Sequence, residues 1–194
     1  MKVVSNNKLD RLHDDIRKKL QEEYPDSLQP VNHINYHKHS RIAVKIAIVL
    51  MVIIVVLTRM HPQVSLFGGG IRGIAIGAVI LVSMIAVHEL MHILPVIHKH
   101  KNCYVSVGRR YISEYHDIWL SKKMYLVCAL FPLFSIPVFV LVMCFFGLSP
   151  WIALWLIGMN TVGSSVDIYH FFNALINVPN GSFIRAGLYR SGRP

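Results

Sequence analysis

The chain has 194 residues, of which 54% are hydrophobic and only 15% charged, with a formal net charge of +10 and a mean hydropathy of +0.47. A soluble domain carries about 25% charged residues, and its apolar positions alternate with polar ones; here they are bunched into long runs, which excludes a soluble globular enzyme. Three scattered cysteines, Cys103, Cys128 and Cys144, exclude a disulfide framework and a Cys-type zinc site, and basic residues at the ends of membrane spans account for the charge without nucleic-acid binding.

The first element in chain order is an amphipathic helix within the segment 1–41, where Leu9, Leu12, Ile16 and Leu20 recur at spacings of three and four. This hydrophilic segment is expected in the cytoplasm, its apolar stripe resting on the membrane or on a helix bundle. Four hydrophobic spans follow, at 42–60, 71–97, 124–146 and 151–176, to be set against a hydrocarbon core of about 30 Å. Lys45 interrupts the first, and with Arg41 it can snorkel to the interface. Between spans two and three, Cys103–Val107 and Tyr111–Ile112 flank Gly108 and predict a short hairpin. Pro132 and Pro137 are expected to bend span three, and Pro179-Asn180-Gly181 to turn the chain after span four. The predicted fold class is an all-α integral membrane protein: about four transmembrane helices and a short cytoplasmic hairpin, with 42–194 as the membrane-embedded domain.

Basic residues set the orientation. Residues 1–41 hold eight Lys/Arg, 98–123 hold six and 177–194 hold three, whereas Arg59 and Arg72 alone lie toward the other side. By the positive-inside rule both termini are expected in the cytoplasm.

Six of the ten carboxylates lie in residues 1–41, and Glu114 and Asp117 lie in the cytoplasmic loop. Glu89 and Asp167 remain, inside spans, together with His88, His92 and His170. An ionisable group in a bilayer costs on the order of 3 kcal/mol, so five of them in two spans call for one shared explanation. His88-Glu89-Leu90-Met91-His92 supplies it, because H-E-x-x-H on a helix sets two imidazoles one turn apart on one face. Neutral imidazoles bind zinc, and Glu89 is placed to take a proton from metal-bound water. A catalytic site needs a third protein ligand. His88 lies 17 residues past Ile71 and Asp167 16 past Trp151, so both are about 25 Å from the outer ends of their helices. Asp167, in a stripe with Asn160 and Ser164, is the favoured third ligand, and His170 is its rival; otherwise His170 supports a ligand or contacts substrate. The spacing of His33, His37 and His39 is only loosely metal-like.

These residues resemble the small four-span zincin peptidases of membranes, a group mostly known from bacteria and itself similar to the site-2 proteases, which are intramembrane zinc metalloproteases. The resemblance covers 42–194 and rests on His88-Glu89-Leu90-Met91-His92-Ile93-Leu94-Pro95 and on Asn160 with Asp167-Ile168, followed by Pro179-Asn180-Gly181. It implies a zinc-dependent endopeptidase of a bacterial cell membrane. One Zn²⁺ per chain is expected on His88, His92 and Asp167, with Glu89 catalytic and a membrane protein or peptide as substrate. Two positions depart from the site-2 pattern: Ile168 stands where Gly follows the Asp, and Gly163 where a Pro is usual. A substrate-holding role for Asn160 therefore competes with simple helix–helix hydrogen bonding. The strand Tyr104–Val107 is expected to offer an edge to an extended substrate. Intramembrane His and carboxylate groups also build ion pathways, so a non-enzymatic metal-binding or ion-handling membrane protein is the competing class. A zinc enzyme acting on a lipid or another small amide is a third.

Overall fold

A computed structural model describes residues 2–31, positions 45, 48, 49, 52 and 56, and residues 70–107 and 112–192. Apart from those five isolated helical positions, the first predicted span lies outside the described residues, as does the tract His33, His37 and His39.

The amphipathic stripe folds as the helix α1, Asn6–Glu23. Leu9, Ile16 and Leu20 are buried, Leu20 at 2% exposed, and burying a leucine fully contributes about 2 kcal/mol. They pack on protein: Ile16 and Leu20 share a cluster with Ala186, Leu188, Tyr115 and Trp119. The apolar run of span two forms α2, Gly70–Ile93. Pro95 ends it, since a proline has no N–H for the helix and disfavours helical geometry in the residue before it. The chain continues as a 3₁₀ helix over Leu94–Asn102, so the α-helix of this span stops four residues short of the predicted end at 97.

Span three is α3, Lys122–Phe145. Ser121 caps it by accepting from the Met124 N–H at 3.3 Å, relieving one of the unpaired donors of the first turn. At about 1.5 Å per residue its 24 residues reach about 36 Å. It is the one helix among the described residues that is long and apolar enough to cross a membrane. The fourth predicted span is not one regular helix. It consists of α4, Pro150–Gly163, and α5, Ser165–Asn177, meeting at Ser164. Gly163 is a weak helix former, and serines compete for backbone hydrogen bonds, so the helix jogs at this point. It does not unravel: Ser164 N–H donates to Asn160 and Ile168 N–H donates to Ser164.

The all-α expectation needs correcting, because the described residues hold two small sheets. The predicted hairpin is present as β3, Cys103–Val107, and β4, Ile112–His116. A third strand, β1 (Lys2–Val4), pairs parallel to β3 on its other side. Tyr104–Val107 is therefore the central strand and offers no free edge. The second sheet has the order β2-β7-β6-β5, all antiparallel, built from Gln29–Pro30, Leu188–Ser191, Ser182–Arg185 and Leu120–Ser121. Strands of two to four residues carry almost no periodic signal, and three of the seven lie next to turns rich in Gly and Pro. The β6–β7 turn places Ala186 at φ 51° and Gly187 at φ 71°, the left-handed pair that a two-residue hairpin loop requires. Ala186 accepts this conformation while buried against α1.

The helices meet along α3. Ile136, Val140 and Ala153 pack with Met91, Leu148 and Leu156 between α2, α3 and α4. Val31, Ala174, Val178 and Ile184 join α5 to the second sheet, where Asn173 Nδ2 also donates to the Val31 carbonyl at 2.9 Å. Cys103, Val105, Ile93, Val96 and Cys128 tie the first sheet to the ends of α2 and α3. These three contacts tie the C-terminal end of α2 to α3, the middle of α3 to α4, and the C-terminal end of α5 to the start of α3 and the second sheet.

Candidate metal centre

His88 and His92 lie one turn apart near the end of α2, 7% and 4% exposed, with their ring centroids 5.1 Å apart. Asp167 stands in the first turn of α5. The structure brings these three together: one donor atom from each lies within 4.8 Å of the others. His88 Nε2 is 3.0 Å from Asp167 Oδ2, and His92 Nε2 is 3.5 Å from Asp167 Oδ1. His170 is not in the group; its half-buried ring meets Tyr169 edge-on, with centroids 5.6 Å apart. Glu89 follows His88 directly and is half-buried.

The outer ring nitrogens decide what the centre can bind. His92 Nδ1 donates to the Cys128 carbonyl at 2.8 Å; a carbonyl can only accept, so this nitrogen carries the proton. His88 Nδ1 lies 3.0 Å from Asn160 Oδ1, and the Asn160 Nδ2 donates to the Pro132 carbonyl at 3.2 Å. That second bond fixes which way the amide faces, so Oδ1 accepts from a protonated His88 Nδ1. In the neutral rings both Nε2 atoms then present lone pairs to the Asp167 carboxylate. Acceptor faces acceptor in a buried space. Protonating both rings would place two imidazoliums 5.1 Å apart, whereas one divalent cation satisfies all three groups together. Two imidazole nitrogens and a carboxylate are a donor set of zinc, and three protein ligands leave the fourth position open.

Asn160 is 1% exposed, and both ends of its amide are engaged, one on His88 and one on α3. Its place two helical turns before Asp167 lets the jogged α4–α5 segment reach the histidines twice. Sequence reasoning missed the backbone partners. A proline four residues downstream is the signal that finds one of them: Pro132 has no N–H, so the usual donor from four residues on does not compete with His92 for the Cys128 carbonyl. It also missed Lys122, which is buried and whose Nζ donates to the carbonyls of Leu175 and Val178 and to Asn180 Oδ1 at the end of α5.

Beside the centre, between α2, α3 and α4, runs an apolar cavity of about 460 Å³ lined by Val87, Met91, Ile136, Val140, Leu156 and Ser135 among others. Val87 and Met91 immediately precede the two histidines.

A family model described as "Putative zincin peptidase" matches residues 81–183, slightly more than half of the chain. Among curated proteins and solved structures nothing matches. The matched stretch contains His88, Glu89, His92, Asn160 and Asp167, and by this match the chain belongs to that family of metallopeptidases.

Proposed function

We propose that the chain is a membrane-embedded zinc metalloprotease of the site-2 type, hydrolysing peptide bonds of a membrane protein or membrane-bound peptide. The observation that carries this reading is the convergence of two Nε2 lone pairs on the Asp167 carboxylate while both Nδ1 protons are held elsewhere. His88, His92 and Asp167 would hold a single Zn²⁺, which supplies Lewis acidity at the scissile carbonyl and makes water acidic enough to be deprotonated near neutral pH. Glu89 accepts the proton of the attacking water and passes it to the departing amine nitrogen as the C–O bond forms and the C–N bond breaks. Asn160 and the Cys128 carbonyl hold the imidazoles in the tautomer that leaves Nε2 unprotonated. Among the described residues β4 is paired on one side only, so its outer edge suits a substrate held extended by backbone hydrogen bonds.

Membrane embedding is supported by the outward face of the helices. Phe134, Val138, Phe139 and Phe145 on α3 are 61–89% exposed, as are Val79 and Val82 on α2 at 60% or more. Contiguous apolar exposure of this kind needs lipid or a partner to cover it. With the four apolar runs and the bias of basic residues, it supports a four-span protein of the bacterial cell membrane with both termini in the cytoplasm.

The test is metal analysis of the purified chain in detergent, together with cleavage of a fluorogenic peptide pool by wild type and Glu89→Gln. We expect near-stoichiometric zinc in both and a loss of turnover of at least about 100-fold in the variant. Wild type without metal overturns the centre, and undiminished turnover in Glu89→Gln overturns the assignment of the base.

A further inference from the structure

One turn of α3 holds His92 directly through its backbone and fixes the amide that holds His88. The Cys128 carbonyl accepts from His92 Nδ1 at 2.8 Å, and the Pro132 carbonyl accepts from the Asn160 amide, whose other end holds His88 at 3.0 Å. Residues 128 and 132 are separated by four positions, the spacing at which the N–H of the second would claim the carbonyl of the first in a regular helix. Pro132 has no N–H, and its ring crowds the carbonyl four residues back, tilting it away from the helix axis. Pro132 is itself fully buried in the interior of the helix, whereas the second interior proline, Pro137, is only partly buried. A proline in a helix interior forfeits one backbone hydrogen bond and crowds the preceding turn, so bending alone is a weak reason to carry one at this depth.

We infer that Pro132 is a positioning residue for the metal centre: by withholding its N–H it reserves the Cys128 carbonyl for His92 Nδ1, and its own carbonyl orients His88 through Asn160. The inference rests on the metal-site reading above and adds to it the origin of the tautomer. Both Nε2 lone pairs are aimed inward because a single helical turn accepts the outer proton of His92 and fixes the amide whose oxygen accepts that of His88. Alanine at this position restores a competing donor. His92 then shares or loses its acceptor, its ring is freer to rotate, and the population with Nε2 unprotonated and aimed at Asp167 falls.

The experiment uses the full chain in detergent and reads metal affinity rather than turnover. Zn²⁺ is titrated against a chromophoric chelator, the visible spectrum is recorded with Co²⁺, and the ¹⁵N-histidine spectrum is taken on metal-free protein. Pro132→Ala is expected to weaken Zn²⁺ binding by about tenfold or more, in the range of lost partners behind metal ligands, to alter the Co²⁺ spectrum, and to mix the His92 tautomers. Pro137→Ala, five residues along the same helix, likewise restores a backbone N–H, but opposite Leu133 instead of Cys128, and should stay within about threefold of wild type. Incorporating lactic acid at position 132 removes the N–H without restoring the ring, and this backbone ester should recover most of the affinity. A Pro132→Ala protein that binds Zn²⁺ as wild type does overturns the inference and leaves the metal site standing. So does an ester that binds as weakly as Pro132→Ala, because the N–H is then not the cause. Wild type that binds no Zn²⁺ overturns the metal-site reading, and the inference with it.

Discussion

Lys122 Nζ donates to the Val178 carbonyl at 2.6 Å, and so joins the first residue of α3 to the residue that ends α5. The same ammonium takes the Leu175 carbonyl at 2.9 Å and Asn180 Oδ1 at 3.2 Å. Leu175 needs this partner, because the residue four positions on is Pro179, which has no N–H to offer. A cation at a helix C-terminus also meets the negative end of the helix dipole. Since Asp167 lies on α5, the contact fixes the far end of the helix that brings a carboxylate to the two histidines.

Replacing Lys122 by Met keeps the length of the side chain and removes all three donations. Hydrogen bonds to a charged group contribute about 2 kcal/mol each, and the carbonyls left behind are partly buried. The expected loss is about 3 kcal/mol in reversible unfolding, measured by mixed-micelle denaturation, with a smaller drop in Zn²⁺ affinity as α5 loosens. Unfolding within about 0.5 kcal/mol of wild type, the usual range for an unremarkable surface change, would show that the three acceptors find water instead.

The docking of α1 is expected to weaken in acid. His13 is half-buried, with its ring edge-on to Tyr115 of β4 at 5.3 Å between centroids. Burial lowers its pKa below 6.5, the nearby Arg17 adds to the effect, and Asp14 and Asp10 oppose it. The unfolded or undocked imidazole protonates near 6.5 while the docked one resists until lower pH. Docking is therefore fully favoured above that value and is lost progressively as pH falls from 6.5 through the docked pKa. Hydrogen exchange of α1 amides, corrected for intrinsic rates, should show weaker protection at pH 5 than at pH 7.5, with α3 unchanged. His13→Gln should remove the difference. An identical pH effect in that variant would assign it to another group.

How much of this was legible in the sequence depended on the range of the interaction. H-E-x-x-H is a local pattern, and the match in depth between His88 and Asp167 needed only the rise of an α-helix, so both could be read before any contact was known. Span three was read to within two residues of its observed ends because its apolar run is long and capped by Ser121. The β1 and β2 strands were not legible: Lys2–Val4 and Gln29–Pro30 are too short for periodicity, and they exist because β3 and β7 offer them edges across more than a hundred residues. The break at Ser164 was hidden for a different reason. Hydropathy runs smoothly through 151–176, and only the Gly163-Ser164-Ser165 propensities mark the jog. The partners of the histidines were half legible. Asn160 could be proposed from its stripe with Asp167, but the Cys128 carbonyl belongs to the backbone, and it is exposed as an acceptor only by reading Pro132 four residues downstream.

The third ligand is the sharpest remaining test. Asp167 is within 3.5 Å of both Nε2 atoms, whereas His170, three residues on, stands outside the group with its ring against Tyr169. An ionised carboxylate largely removed from water needs positive charge, and the segment from Trp151 to Asn177 contains no Lys or Arg. A divalent ion on His88 and His92 provides that charge, and the carboxylate in turn lowers the charge of the site. Asp167→Asn keeps the shape, removes the anion and leaves an amide, a poor ligand, facing the ion. Zn²⁺ affinity should fall by at least about 1,000-fold, more than the 10–100-fold typical of groups that only support a ligand. His170→Ala should fall within that lower range or show no loss. Both variants are to be titrated in one detergent, at one pH, against the same chelator. A filled site in Asp167→Asn together with an empty one in His170→Ala would mean that the helix turns its other residue to the metal, and the ligand set would have to be rewritten as three histidines.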